Sequence, residues 1–190
     1  MDRRRFVLAA SAVAVAGSAA AQGTVALPPG LDRENALVIE LRDGPVIVRL
    51  RPDLAPNHVE RIKTLARRGF YNGIVFHRVI EGFMAQTGDP TGTGTGASDL
   101  PNLRAEFTRQ ANFRRGTLGM ARASDPNSAN SQFFIMFAPA PHLDGQYTIF
   151  GEVVSGMEFV DRIKRGSGQG GMVAAPQDRM VRVRVAADIR

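Results

Sequence analysis

Apolar residues follow two rhythms along the chain. Ala36-Leu37-Val38-Ile39-Glu40-Leu41 and Pro45-Val46-Ile47-Val48-Arg49-Leu50 flank Arg42-Asp43-Gly44 and read as a strand, a turn and its antiparallel partner. From Pro56 to Arg68 the period lengthens. Val59, Ile62, Leu65 and Ala66 mark one face of a helix that opens on a proline and stops at Gly69. Such a stripe must cover something, and an open end of the sheet begun by the first hairpin is the available object. Ile74 to Ile80 and Phe83 to Thr87 then form a second hairpin about Glu81-Gly82.

Two further strands, Gly116 to Ala121 and Ser131 to Phe137, are separated by turn chemistry from Ser124 to Asn130. Tyr147 to Val154 is another strand, and Met157, Val160 and Ile163 sit at helical spacing in a short helix reaching Lys164. After a Gly-rich loop, Gly166 to Gln177, the residues Val181, Val183 and Val185 alternate with Arg182 and Arg184, the period of a half-wet strand. Seven or eight short strands and two helices predict an all-β domain. Because the first and last strands both alternate cleanly, the expected architecture is a closed antiparallel barrel with helices capping its ends, which would remove exposed edges.

The N-terminus stands apart from this pattern. Arg3-Arg4-Arg5 precedes an uncharged run from Phe6 to Ala16 and the small residues Gly17 to Ala21, the order of a secretory signal peptide. Arg3-Arg4-Arg5-Phe6-Val7-Leu8 also has the form of a twin-arginine export signal, a receptor-read address and not an anchor. The expected organisation is a signal over 1–21, an extended lead-in over 22–35 and one folded domain over 36–190. The expected location is the periplasm or another extracytoplasmic space. The apolar run is shorter than the roughly 20 residues of a membrane span, so no membrane anchor is expected. With no cysteine, stability must come from the core.

The formal charge of +6 over 190 residues falls by two when Arg3, Arg4, Arg5 and Asp2 leave with the signal. Arg61, Lys63, Arg67 and Arg68 form the one basic cluster, but acids are interleaved along the chain, which argues against a nucleic-acid surface. Gly92-Thr93-Gly94-Thr95-Gly96 has the wrong spacing for a dinucleotide loop and is followed by no Gly-Lys-Ser/Thr; it reads as a surface loop needing positive φ. His58, His77 and His142 are the only histidines, and with no HExxH and no nucleophile elbow around Ser131, neither a zinc site nor a serine triad is supported. What remains is the central hairpin, where Arg78 and Gln86 lie beside Phe83 and Met84: a polar anchor next to a soft apolar floor. Taken alone, Arg78 also suits a solvated strand arginine, and the apolar residues suit a core.

Several separated blocks together carry a family resemblance. Phe76-His77-Arg78-Val79-Ile80 with Phe83-Met84-Ala85-Gln86-Thr87-Gly88-Asp89, then Ser131-Gln132-Phe133-Phe134-Ile135, Leu143-Asp144-Gly145 and Phe150-Gly151, resemble in order the signatures of the cyclophilins, peptidyl-prolyl cis-trans isomerases. The resemblance spans about Leu37 to Val185 and implies an eight-stranded antiparallel barrel with two capping helices and a peptide groove on its outer surface. It implies that Arg78 is catalytic, that Gln86 holds substrate backbone, and that Phe83, Met84, Phe134 and Leu143 line a proline pocket, with Ala121, Arg122, His142 and Tyr147 among the substrate contacts. Phe76, His77 and Phe133 are expected as structural support, His77 on the strand face opposite Arg78. His142 stands where many eukaryotic members have tryptophan, Tyr147 where they have histidine and Arg122 where they have asparagine; the first departure implies weaker cyclosporin binding. The expected partners are proline-containing unfolded or flexible polypeptides, with no cofactor, no metal and a monomeric chain. The competing expectation is a peptide-binding chaperone of the same fold with little turnover.

Overall fold

A computed structural model describes residues 25–189. The signal over 1–21 and residues 22–24 of the lead-in lie outside the described residues. Eight strands, β1 (Ala36–Leu41), β2 (Gly44–Leu50), β3 (Arg78–Ile80), β4 (Met84–Thr87), β5 (Thr117–Met120), β6 (Phe133–Met136), β7 (Ile149–Ser155) and β8 (Arg182–Val185), form one sheet. Their order is β3-β4-β6-β5-β7-β2-β1-β8, and every strand pairing is antiparallel.

This order corrects the expected closed barrel. The sheet is open, with β3 and β8 as its two edges and no ladder between them. The run from Ile74 to His77, which should have lengthened β3 toward β8, instead meets the chain ahead of β8 through scattered bonds. Gly73 N donates to Met180 O at 2.7 Å, Met180 N to Ile74 O at 2.9 Å and Phe76 N to Asp178 O at 2.9 Å. The outer edge of β3 is taken by the Gly-rich loop. Val79 N donates to Gly171 O at 2.7 Å, and Val79 O accepts from Gly166 N at 2.9 Å. A curled sheet whose edge is covered by a loop satisfies the backbone without closing.

The helix α1 (Pro56–Arg67) packs over β8 and β7 with Val59, Ile62, Leu65 and Ala66 buried. Its N-cap, Ala55, has no side chain to offer, and Glu106 supplies the cap from a distant loop: its carboxylate accepts from Asn57 N at 3.2 Å and His58 N at 3.1 Å, with His58 Nδ1 at 2.6 Å. The basic cluster on this helix is held internally. Arg61 donates to the carbonyls of Pro101 and Asn130, Lys63 pairs with Glu34 and Glu60, Arg67 with Glu34 and Asp188, and Arg68 with Asp99. The second helix, α2 (Met157–Val160), is a single turn and stops short of the expected Lys164.

Period two sorts the strands between two apolar clusters. Val79, Ala85, Leu118, Phe133 and Ile135 point into the main core with Phe76, Phe150 and the α1 stripe. Met84, Phe134 and Met136 point to the other face and join Phe113, Leu143 and Ile149 in a second cluster. The run from Phe133 to Met136 is therefore buried throughout because both faces of β6 are covered.

Candidate active site

The site is assembled by register across the sheet. Met172 bridges to Arg78, Arg78 pairs with Gln86, Gln86 with Phe134, and Phe134 with Gly119. Directly paired residues project to one face, so a single lateral row places a cation, an amide and an aromatic ring side by side on the outer surface. The tight turn that sets this register has Gly82 at φ 67°.

A groove of about 330 Å³ lies over that row. Arg78, Phe83, Met84, Gln86, Ala121, Arg122, Phe134, Leu143 and Tyr147, all expected from the sequence, line it together with His77, Gly94 and Met172. His142 sits at the rim, exposed, with its ring stacked on Phe83 at 5.7 Å. Phe76 and Phe133 lie away from the groove in the main core. His77 differs from its expected placement: it precedes β3, so strand alternation does not govern it, and its ring lies against the groove beside Gly94. Only 1% exposed, its two ring nitrogens have no partner among the described residues. Burial pushes its pKa down against the pull of Asp89, and Arg78 adds to the lowering, so the ring is neutral at neutral pH.

Arg78 is not the free strand cation that its sequence context permits. Its Nε donates to Gly170 O at 2.9 Å and its Nη1 to Gln86 Oε1 at 3.1 Å. Gln86 Nε2 passes on to Gln132 Oε1 at 2.9 Å, and Gln132 Nε2 donates to Gly94 O at 3.0 Å and Gly96 O at 2.9 Å. The relay orients the guanidinium while both Nη2 hydrogens and one on Nη1 have no partner among the described residues. Gln86 thus holds Arg78 with its amide oxygen and Gln132 with its nitrogen, while one Nε2 hydrogen has no partner among the described residues.

The apolar wall is built from aromatic contacts. Phe134 stacks on Phe113 at 5.7 Å and meets Tyr147 edge-on at 5.8 Å. Arg122 lies over the Tyr147 ring at 4.5 Å and donates to the carbonyls of Gln146, Ala123 and Ser124. Beyond Gln86 and Arg122 the groove continues into a polar pocket of about 460 Å³ lined by residues including Asn102, Ser128, Asn130 and Gln132.

The glycine-rich stretch after β4 cradles a carboxylate of this chain's own. Asp89, 1% exposed, accepts from Thr91 N at 2.7 Å, Thr91 Oγ1 at 2.8 Å and Gly94 N at 2.5 Å. Burial works against its ionisation, yet hydrogen bonds from Thr91, Gly96 and Gly94 hold its pKa down at about 2. A Cβ at Gly96 would strike Asp89 Oδ1, and Gly92 and Gly94 adopt φ of 70° and 94°, which accounts for the spacing. Asp89→Asn is expected to lower stability by about 2 kcal/mol at neutral pH, because an amide cannot replace a fully accepting carboxylate. A folded pKa below the ordinary value contributes stability above pH 4 that is lost as pH falls toward 2. Urea titrations of both proteins should therefore differ at pH 7 and converge near pH 2; a gap that does not depend on pH would contradict the assignment.

Gly94, Gln132, Met172 and Gly119 are the site residues that sequence reasoning missed. Asp89-Pro90-Thr91-Gly92 is a turn signal that could have pointed to the cradle, but nothing in the pattern around Met172 or Gly119 predicts cross-strand neighbours.

Comparison with known proteins agrees with this geometry. Residues 36–185 match the family model described as cyclophilin type peptidyl-prolyl cis-trans isomerase. A probable peptidyl-prolyl cis-trans isomerase of Brucella suis is 51% identical over 180 residues, covering 88% of this chain and 91% of the relative. A peptidyl-prolyl cis-trans isomerase-like 1 protein of Aspergillus oryzae is 41% identical over 148 residues, 76% of this chain and 91% of that one. Among solved structures, a cyclophilin-type isomerase of Cryptosporidium parvum in the presence of the dipeptide Ala-Pro superposes with a TM-score of 0.72 at 30% identity, covering 79% of this chain and 98% of that one. A cyclophilin from Hirschia baltica gives 0.73 at 26% identity, over 84% and 77% of the two chains. This chain belongs to the cyclophilin-type peptidyl-prolyl cis-trans isomerases.

Proposed function

We propose that the outer groove is where this isomerase turns the X-Pro bonds of flexible polypeptides, and that Arg78 is its catalytic residue. The observation that carries the proposal is a guanidinium braced by Gly170 O and Gln86 Oε1 immediately beside an apolar pocket. Amide resonance sets a rotation barrier of roughly 18–20 kcal/mol, and uncatalysed exchange takes about 10–100 s. No covalent bond need break. Twisting the amide leaves the prolyl nitrogen pyramidal with a localised lone pair, and an Arg78 N–H donated to it stabilises the twisted state more than the planar one. Phe83, Met84, Phe134 and Leu143 hold the prolyl ring, and the neutral His77 takes no proton, since none moves. The direct test is a protease-free NMR exchange assay on proline peptides, where acceleration by the purified protein is expected. Binding without acceleration would favour a peptide-holding chaperone.

Export belongs to the same proposal, supported by the order Arg3-Arg4-Arg5, apolar run and small residues. The clients would then be exported polypeptides. Arg3→Lys combined with Arg4→Lys is expected to retain unprocessed protein in the cytoplasm on cell fractionation; normal export of the double variant would assign the protein to the general route.

A further inference from the structure

We propose that Met172 is a specificity-determining residue: it forms a lip of the groove that takes an apolar side chain flanking the substrate proline. The inference rests on the groove being the isomerase site. The Gly-rich loop expected between Gly166 and Gln177 is a hairpin laid along the edge of β3. Val79 is bonded to Gly166 and Gly171, and Val173 N donates to His77 O at 3.0 Å. Small residues allow this close approach. Gly171 lies at φ 68°, where a Cβ would also strike Ile80, and a Cβ on Gly166 would collide with the Gly171 backbone. From Gly166 to Gly171 the only side chains are those of Ser167 and Gln169, and the next residue is a methionine.

That methionine is paired with Arg78 at the end of the row running through Gln86 and Phe134, and so projects from the same face. It lines the groove and is 47% exposed, one of the few large hydrophobic residues left open to solvent among the described residues. The polar pocket begins on the Gln86 side of Arg78, whereas Met172 stands on the other side. A peptide whose proline lies in the apolar pocket therefore meets polar walls toward Gln132 and one flexible thioether beyond Arg78. An unbranched, polarisable side chain adapts to several apolar partners but offers nothing to a charged or hydroxylated one. The same hairpin orients Arg78 through Gly170 O, which couples the subsite to the reacting bond.

The experiment compares the full chain with its Met172→Ser and Met172→Leu variants on two series of alanine-based proline peptides. One series carries Phe, Leu or Ser immediately before proline, the other immediately after it. In one of the two series, Met172→Ser is expected to lower kcat/KM for the Phe and Leu peptides about tenfold, through KM. The Ser peptides should change less than twofold, and Met172→Leu should restore the preference. A uniform loss on all peptides would reduce Met172 to a support for Arg78, and no loss on any would leave it a surface side chain; either overturns the proposal. Failure of the underlying reading is separately visible, as no acceleration by the native chain on any peptide.

Discussion

Arg78→Ala is expected to slow X-Pro exchange by about 10²–10³-fold while leaving the protein folded. The size follows from what the guanidinium does: beside the apolar pocket it keeps three N–H hydrogens without a partner among the described residues, where Arg122 keeps only one on Nη2. Arg122 also lines the groove, but it donates to three backbone carbonyls and lies over Tyr147. Loss of a donor used chiefly in the twisted state lowers kcat and kcat/KM together and leaves peptide affinity near its native value. The fold should lose only about 1 kcal/mol, because the Gly170 carbonyl and the Gln86 amide that Arg78 leaves behind lie at a partly exposed surface where water can replace it. Arg78→Lys should recover little. An ammonium is a point charge and cannot bridge Gly170 O and Gln86 Oε1 while keeping donors for the substrate. NMR exchange and peptide titration on the three proteins, with circular dichroism as the check on folding, decide the matter. Near-native exchange by folded Arg78→Ala would remove Arg78 from the mechanism, and equal losses of exchange and affinity would make it a holding residue.

How much of this was legible depended on whether the information was local. The hairpin around Glu81-Gly82, the α1 stripe and the alternation in β8 were readable because a turn residue or a period marks each of them within a few positions. Nine of the residues that line the groove were readable from the family resemblance, whereas Gly94 and Met172 were not. Closure of the sheet was not. Whether β3 meets β8 is decided by what the Gly-rich loop does, and a run of glycines has no periodic signal to say that Gly171 takes the edge of β3 first. His77 escapes the alternation for a related reason: β3 begins one residue later, at Arg78. The roles of Gln132 and Gly119 depend on register across β4, β5 and β6, which residues distant in sequence set jointly. The Gln86 amide carries contacts that resemblance alone does not give: its oxygen accepts from Arg78 and its nitrogen donates to Gln132.

Gly119→Ala is expected to close the proline pocket from beneath. Gly119 lies in β5 directly opposite Phe134, and a Cβ there would stand 2.5 Å from Phe134 Cζ and 2.6 Å from Phe113 Cε1. Its φ is outside the left-handed region, so alanine meets no backbone penalty and the whole cost is steric. One of the two rings has to give way. Phe113 is anchored on both sides of its backbone, its N donating to Asp144 Oδ1 at 2.7 Å and its O accepting from Ala140 N at 3.0 Å, and it is 1% exposed. Phe134 has the groove on its other side, so it moves, and it moves into the space meant for the prolyl ring. Overpacking of this kind costs about 1–3 kcal/mol, and the lost pocket should raise KM about tenfold. Arg78, Gln86 and Gln132 are not among the nearest neighbours of the new methyl group and keep their hydrogen bonds to one another, so kcat should change far less than KM. Urea denaturation together with exchange rates measured over a range of peptide concentrations separates the two effects. A destabilised protein with native KM would mean that Phe113 yielded instead, and that Phe134 is not held in position by the absence of a side chain at Gly119.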